Sequence, residues 1–476
     1  MKPYLALGLL ALAGCARIPQ DQQSVQLRDA AGAQLSSQIK LANEGWPDAR
    51  WWSRYHDSQL DQLMDAALKG SPNLVVAQTR VLAAQAGVQQ AHANEGVNVR
   101  ASVSITRELT SEYGLIPPPL AGEWVTDTEP QISASYEFDW WGKHKAEIAS
   151  ALGETAASRA DLAAAEQSLT TAVAQAYFTW QTDNARIVLV QQQRDVQQRL
   201  HQIAARRVQS GLENDTSQRS ARGDVANQDA VLAQLAATER QDRESLRALL
   251  GITGDSKVVD QLQPAPLPQA MGTLPSDLGL NLVARRPDLQ AARWRAEVAT
   301  QRTEYNKALF YPDISLSAFV GASSLSLDDV LKQGTRTLGI TPALSLPIFD
   351  SGRLAAGLTA SRAQRDVAVA QYNQALVNAV QDVANQGVAL QGLSAQEAAT
   401  RNYLVATEGV LKNQQTRMQR GLTDQGVVLR AQLPVLLIQD QLLVLRNRQI
   451  NTEIALTRAL GGGYQAPTAT AASEAQ

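Results

Sequence analysis

Cysteine is almost missing from this chain: Cys15 is the only one among 476 residues, so no disulfide can form within one molecule. Histidine is scarce as well, and its four copies share no metal-ligand spacing: His56, His92, His144 and His201. An excess of one charge is also lacking, because the formal net charge is −3 with both signs mixed along the chain. These absences argue against a disulfide scaffold, a metal site and a basic surface for nucleic acid.

Long apolar runs are missing beyond residue 15, where no stretch reaches the 18 or so apolar residues that a membrane-spanning helix requires. The most apolar segment, LPVLLIQDQLLVLR, is interrupted by Gln439, Asp440 and Gln441. Phosphate-binding glycine loops and nucleophile elbows are lacking too, so we expect no enzyme and no cofactor. A chain of this kind that crosses a membrane must use strands.

The N-terminus has the features of a secretory signal. In MKPYLALGLLALAGCA, one lysine and a short apolar run precede Cys15. The stretch Leu12–Gly14 before it resembles a bacterial lipobox, so we expect a signal peptide at 1–14 and a lipid on Cys15. The alternative is an ordinary signal peptide followed by a chance cysteine. Ala16 rather than aspartate follows Cys15, which favours the outer membrane over the inner membrane.

An internal repeat runs through the chain. RRVQSGL (206–212) and TRMQRGL (416–422) share the pattern Arg-apolar-Gln-x-Gly-Leu, 210 positions apart. Gly142 and Gly352 match at the same offset. We therefore expect two copies of one unit. The predicted division is 1–14 signal peptide, 15–57 lipidated linker, 58–251 first repeat, 252–275 proline-rich connector, 276–461 second repeat and 462–476 disordered tail.

Each copy predicts the same order of elements. A short helix follows an N-cap serine, Ser58 or Ser276, and a second helix opens at Pro72 or Pro287. Alternating apolar and polar residues then predict a pair of strands, although a soluble sheet would alternate in the same way. The four predicted strands are 97–106, 131–140, 314–320 and 340–348.

The predicted strands leave two connecting loops, 106–129 and 321–339. We expect both loops to face the outside of the cell, because they join the strands at the end opposite the long helices. Pro342 and Pro347 fall in the last strand, and proline removes a ladder donor, so this strand is expected to be short.

Two proline-free stretches, from Lys143 to about Ser210 and from Arg353 to about Arg420, predict helices of roughly 100 Å each. Heptad steps along them and along the returning helices predict coiled-coil hairpins. Gly211 and Gly421 stand where each chain reverses, at the position that often requires a positive φ. A hairpin end far from the strands has no use in a compact core, so we interpret it as a docking tip.

Five segments stand in the order typical of one family. They are WWSRYHDSQLDQLMDAALKGSPNL (51–74), FDWWGK (138–143), ARRPDLQAAR (284–293), FYPDISLS (310–317) and LSLPIFDSGR (344–353). With them, the chain resembles the TolC-type outer membrane factors, in particular the NodT-like lipoprotein branch of efflux channels. The charges of the third segment, Arg285, Arg286 and Asp288, are expected to be surface charges at a helix start.

The resemblance implies a mainly α-helical protein with membrane β-structure. Three chains would give four strands each to one twelve-stranded barrel, continued by a long α-helical coiled-coil barrel. Physics also requires an oligomer, because four strands cannot close a membrane barrel. The implied partners are two further copies, a periplasmic adaptor, an inner-membrane pump of the RND type and outer membrane lipid.

The resemblance implies an exit duct for drug efflux across the periplasm and outer membrane. A duct for type I protein secretion is the alternative, and the sequence does not separate the two. A periplasmic coiled-coil scaffold without a pore is a third reading, which the lipobox and the four amphipathic strands disfavour.

The hairpin tips hold the predicted functional residues. The expected adaptor-docking residues are Gly211, Leu212, Gly421, Leu422 and Thr423. In the second tip, Arg417, Arg420 and Asp424 are the gate candidates: in a threefold assembly, pairs between Arg420 and Asp424 of neighbouring chains would hold the aperture shut. A solvated helix end is the alternative.

Overall fold

The structure is a computed structural model that describes residues 18–22, 25–29, 49–269 and 285–464. Cys15 and the short helix predicted after Ser276 lie outside these residues. The first repeat contains α1 (Ser58–Gly70), α2 (Pro72–Glu95), β1 (Asn98–Leu109), β2 (Trp124–Glu137), α3 (Lys143–Gln209) and α4 (Asp215–Leu250). After the short α5 (Lys257–Asp260), the second repeat contains α6 (Pro287–Ala308), β3 (Asp313–Ala322), β4 (Arg336–Ser345), α7 (Arg353–Gln419) and α8 (Gln425–Ala459).

The predicted order of helices and strands is confirmed for the described residues, but the N-cap of α1 is not the expected residue. Ser58 is already helical, and the cap is Asp57, whose backbone is extended. The Asp57 side chain accepts hydrogen bonds from the backbone N–H groups of Gln59 at 2.9 Å and Leu60 at 3.2 Å. Its other carboxylate oxygen accepts a bond from Tyr177 at 2.7 Å, which a serine cap could not do in addition.

Helix α8 corrects a second expectation. By length and composition it is apolar enough to cross a membrane, although no such segment was expected beyond residue 15. Its apolar side chains have a different use in the structure, because Leu429 and Leu436 pack with Val196 of α3. Asp440 of α8 binds Arg186 of α3. We therefore assign α8 to the helical packing rather than to a membrane.

The chain divides into two compact units, and each takes segments from both repeats. The strand unit comprises residues up to Leu27, Arg80–Ser158 and Ala291–Tyr372. Its four strands form one antiparallel sheet in the order β1-β2-β3-β4. They have 10 to 14 residues each, and a transmembrane strand needs about 9 to 11.

Several strand boundaries differ from prediction. All four strands extend further toward their connections than expected. The loop between β1 and β2 is therefore 110–123 and that between β3 and β4 is 323–335, both shorter than expected. β2 ends at Glu137 and β4 at Ser345, before the apolar residues that were assigned to them. The expectation of a short last strand is wrong, because β4 has ten residues, as β3 has, and includes Pro342 opposite Leu316.

The helical unit comprises Arg28–Thr79, Arg159–Gln290 and Asn373–Gln476. Its main core forms where α1 packs against the middle of α3 and the C-terminal turns of α4 and α8. Trp180, Tyr177 and Phe178 of α3 are the largest fully buried side chains there. Burial, together with the hydrogen bond to Asp57, raises the pKa of Tyr177. Leu169, Val173 and Trp180 of α3 and Ile450 of α8 also lie in this core.

Candidate functional site

The sheet has one continuous apolar face. The register places the apolar side chains of each strand opposite those of the next, as in the pairs Ala134↔Ala318 and Val320↔Leu338. Large apolar residues on this face are exposed, at 66% for Val99 and 79% for Leu338. The exposed large residues of the face are Val99, Val103, Ile105, Leu109, Trp124, Ile132, Leu316, Val320, Leu338, Ile340 and Leu344. A soluble protein rarely leaves so large an apolar surface in water, whereas lipid would cover it.

Aromatic side chains lie at both ends of this sheet. Trp124 begins β2, and the guanidinium of Arg107 lies 5.9 Å from its ring centroid. At the other end, Trp141 stacks on Tyr311 with the centroids 4.8 Å apart, and its indole N–H donates to the carbonyl of Pro312 at 2.8 Å. Aromatic residues prefer the two interfaces of a membrane. Their placement supports an apolar band between two membrane surfaces.

The opposite face of the sheet is polar and carries several acidic side chains. Pairs across β1 and β2 on this face include Ser102↔Gln131, Ser104↔Glu129 and Thr106↔Asp127. Within the described residues, the outer edges of β1 and β4 have no strand partner. Unpaired edges in lipid would leave backbone groups unsatisfied, so the sheet requires further strands from other copies.

An ionic cluster follows the end of β2. Lys143, the first residue of α3, pairs with Glu137 and lies 3.7 Å from Asp313 of β3. Burial lowers the pKa of Lys143, but the bond to Glu137 and the charge of Asp313 outweigh it and leave the pKa raised. The buried ring of His144 lies between Glu137 at 3.4 Å and Glu147 at 3.5 Å. These contacts tie the start of the long helix to the sheet.

The N-terminal segment runs along the start of α7. Ile18 packs against Phe310 and Leu354. Arg365 binds Asp21 with two hydrogen bonds of 2.7 and 3.1 Å, and the bond to Arg365 lowers the pKa of that carboxyl. The segment that follows the predicted lipid site is therefore held at a defined place in the strand unit.

The two hairpin turns have the same backbone. Gly211 and Gly421 have φ of 70° and 72°, as expected. In each turn the glycine N–H donates to the carbonyl three residues back, and the next N–H, from Leu212 or Leu422, donates to the carbonyl five residues back, as in a Schellman motif. Leu212 and Leu422 are 72% and 64% exposed, so each turn presents an apolar side chain to solvent.

The gate candidates lie where the second hairpin turns. Asp424 is the N-cap of α8, and its Oδ1 accepts a bond from the Val427 N–H at 3.1 Å. Arg417 lies in the last turn of α7, and Arg420 follows the end of that helix. Thr423 lies beside them and is half-buried. The carboxylate therefore has a local structural role that the sequence analysis did not assign to it.

Sequence reasoning missed two arginine contacts. Arg286 was expected at the surface, but it is 9% exposed, pairs with Asp288 at 2.7 Å and Asp382 at 3.1 Å, and donates to the carbonyl of Ala459. Its partner on α7 is about a hundred residues away, which no local pattern could indicate. In the first tip, Arg207 pairs with Glu213 at 3.0 Å. Across the described ranges, no three His, Cys, Asp or Glu side chains are grouped to hold a metal ion.

Comparison with known proteins decides the family. The sequence profile of outer membrane efflux proteins matches residues 63–252 and 280–462, most of the chain. The chain belongs to the outer membrane efflux protein family. Family members are transport channels rather than enzymes, so this chain is an efflux channel of the outer membrane. The family also implies a trimer that associates with an adaptor and a pump in a tripartite system.

Two relatives match this efflux protein over nearly all of its length. The multidrug resistance outer membrane protein MdtP of Escherichia coli K12 is 34% identical over 463 residues, 96% of this chain and 94% of MdtP. The multidrug resistance outer membrane protein MdtQ of Escherichia coli O157:H7 is 33% identical over 477 residues, 96% of this chain and 97% of MdtQ.

Solved structures agree with the assignment. The outer membrane protein VceC of Vibrio cholerae matches with a TM-score of 0.79 and 32% identity, over 88% of this chain and 100% of VceC. The CmeC outer membrane channel of Campylobacter jejuni matches with a TM-score of 0.80 over 97% of this chain and 96% of CmeC. At 19% identity, CmeC supports the fold alone. The TolC-like fold expected from the sequence is confirmed.

Proposed function

We propose that this efflux channel is the exit duct of a tripartite system that expels drugs, and that three copies close their sheets into one twelve-stranded barrel. The observation that best supports this proposal is the exposed apolar face of the sheet, whose edge strands β1 and β4 are unpaired on their outer sides. Relatives named multidrug resistance proteins, similar over 96% of this chain, favour drugs as cargo over secreted proteins.

Deleting the gene from its host tests this function. We expect susceptibility to several unrelated drugs to rise, and a plasmid copy to restore resistance. The negative control is a plasmid that encodes the variant with Leu338→Asp and Ile340→Asp on the apolar face. This variant should not restore resistance, because charges on the lipid side oppose insertion. Unchanged susceptibility together with loss of a secreted protein would contradict drug efflux and favour type I secretion.

A lipid on Cys15 is the second part of the proposal. The packing of Ile18 in the strand unit supports this assignment, because Ile18 follows Cys15 by three residues in the sequence. Phe310, a member of the cluster that Ile18 packs against, immediately precedes the stacked Tyr311. Cys15→Ser should abolish labelling by a fatty-acid analogue, with assembly retained. Labelling that persists in this variant would rule out the assignment.

The two hairpin turns are proposed to dock the adaptor, through Gly211 and Leu212 in the first and Gly421, Leu422 and Thr423 in the second. The exposed leucines on fixed glycine turns support this role. A pump of the RND type is the first candidate partner. Leu212→Ser with Leu422→Ser should reduce co-purification of the adaptor while the trimer remains. Undiminished co-purification would remove the turns from the interface.

The gate is proposed to use Arg420 of one chain and the free oxygen of Asp424 in the next. Because Asp424 also caps α8, replacing it with alanine would confuse two roles. Asp424→Asn keeps the cap, as Asn214 does in the first hairpin, and removes the charge. Arg420→Ala with Asp424→Asn should raise single-channel conductance without loss of stability. Wild-type conductance would leave these residues as surface charges.

The loops 110–123 and 323–335 are proposed to face the outside of the cell. Each loop joins two neighbouring antiparallel strands of the apolar sheet, so both emerge at the same end of the strands. Tags inserted near Pro118 and near Leu327 should be accessible to antibody on intact cells. Protection of both tags would reverse the topology.

A further inference from the structure

Two aspartates face each other inside the first hairpin. The side chain of Asp183 of α3 lies close enough to that of Asp242 of α4 for their charges to interact. Asp183 is 6% exposed, and Oδ2 of Asp242 is closed off from solvent without a hydrogen-bond partner. Ionised carboxylates only accept hydrogen bonds, and the enclosed oxygen of Asp242 has no donor, so a proton on one of the two groups stabilises this arrangement.

The neighbouring arginines are engaged elsewhere. Arg186 of α3 lies 3.4 Å from Asp183, but its stronger contact is the 2.8 Å bond to Asp440 of α8. Arg243 of α4 binds Glu239 at 2.5 Å. Glu239 also accepts a bond from the indole N–H of Trp180 at 2.7 Å. Among the described contacts, no cation is therefore left to neutralise Asp242.

The charges around the pair explain which group keeps the proton. Burial, with the charges of Asp183 and Glu239, raises the pKa of Asp242 to about 7. Burial also raises the pKa of Asp183, although Arg186 opposes the shift. For Glu239, burial is outweighed by Arg243 and Trp180, and its pKa is lowered. The groups that face the pair are Arg186 from α3, Glu239 and Arg243 from α4, and Asp440 from α8.

We propose that Asp183 and Asp242 form a binding site for one proton, and that the bound proton holds α3 and α4 together at this point. When the proton leaves, two neighbouring carboxylates repel each other across the hairpin, and Asp183 competes with Asp440 for Arg186. Through this site, the packing of α3 against α4 depends on pH. In the second hairpin, Leu393 and Thr452 occupy the equivalent positions, so only the first hairpin responds.

The direction of the response follows from linkage. The pKa of Asp242 in the folded chain lies above that of an unfolded aspartate, so the folded state keeps its proton to higher pH. Stability from this site is complete below about pH 4 and decreases as the pH rises to about 7. Above that window both groups are ionised, and the loss is complete.

Infrared spectroscopy of the purified full-length protein tests the site. Ordinary aspartates and glutamates titrate near pH 4, so a carboxylic-acid band that disappears near pH 7 would belong to a perturbed group. We expect this band in the wild type and its loss in both Asp242→Asn and Asp183→Asn. The matched control is Asp229→Asn, because Asp229 of α4 pairs with Arg194 of α3 at 2.9 Å in an exposed position. The control should keep the band.

Hydrogen exchange provides the second measurement. After correction for intrinsic rates, exchange in the facing segments of α3 and α4 should rise severalfold between pH 6 and pH 8, roughly one unit either side of neutrality. Asp242→Asn, whose amide donates as the protonated acid does, should remain folded and abolish the rise. The proposal would be overturned if the wild type had no carboxylic-acid infrared band that disappears near pH 7. It would also be overturned if that band remained in Asp242→Asn.

Discussion

The two hairpins share a backbone and differ in what they bury. α3 and α7 each have 67 residues, and both end in a glycine with φ near 70°. Phe178 of α3 is 1% exposed in the main core, whereas Val388, its equivalent in α7, is 60% exposed. Asp183 is likewise replaced by Leu393. The same helix length and turn therefore support two different sets of neighbours.

This difference shows which features the repeat preserves. Positions that the backbone itself constrains are kept, as the paired glycines show, because a side chain there would meet strain in any environment. Positions that face other elements have diverged, as Phe178, which lies in the core formed with α1, and the exposed Val388 show. The large aromatic core of Trp180, Tyr177 and Phe178 thus belongs to the first hairpin.

The largest expected difference between the two hairpins is the loss of stability when Phe178 or Val388 is replaced by alanine. Phe178→Ala should lower the free energy of unfolding by about 3 to 5 kcal/mol, because it leaves a cavity in a closed core. Val388→Ala should change it by only about 0.5 kcal/mol, since the side chain is mostly exposed. Denaturant unfolding of the two variants measures both values. Equal losses would show that the exposure difference in one chain does not persist in the assembly.

A loss of stability of intermediate size is expected to be the same in both hairpins. Gly211→Ala and Gly421→Ala place a Cβ in open space, so the cost comes from the positive φ alone, about 1 to 2 kcal/mol in each case. The same unfolding experiment measures both. Losses that differ by more than about 1 kcal/mol, the width of the expected range, would contradict the equivalence of the two turns.

The smallest change in stability is expected for a substitution that gives the first tip a residue of the second. Glu213→Thr removes the partner of Arg207 and creates the residue found at the equivalent position, Thr423. The pair is partly exposed, so the loss should be about 0 to 1 kcal/mol. Thermal unfolding at low and high salt measures it, and a wild-type control should show the salt sensitivity that the variant lacks. A loss well above this range would give the pair a structural role.

Much of the fold was predictable because its signals are local. Proline-free stretches with heptad steps gave both long helices to within one residue, from Lys143 to Gln209 and from Arg353 to Gln419. Glycine at the turn predicted the positive φ. Strand ends were less accurate, since apolar alternation continues past Glu137 after the ladder has ended.

The site residues were harder to predict because their partners are distant in sequence. Asp424 looked like a gate charge, and its capping bond to Val427 depends on where α8 begins. The pairs Asp183–Asp242 and Arg286–Asp382 join residues about 60 and 100 positions apart. No helical periodicity connects such positions, so the sequence offered no signal for either contact.

Single-channel recording tests the central claim most directly. The purified trimer, added to a planar lipid bilayer, should produce discrete conductance steps, because the apolar face inserts and the polar face lines an aqueous path. The Leu338→Asp, Ile340→Asp variant should produce none. A folded, trimeric wild type that inserts into lipid and yields no conductance would contradict the assignment as a channel.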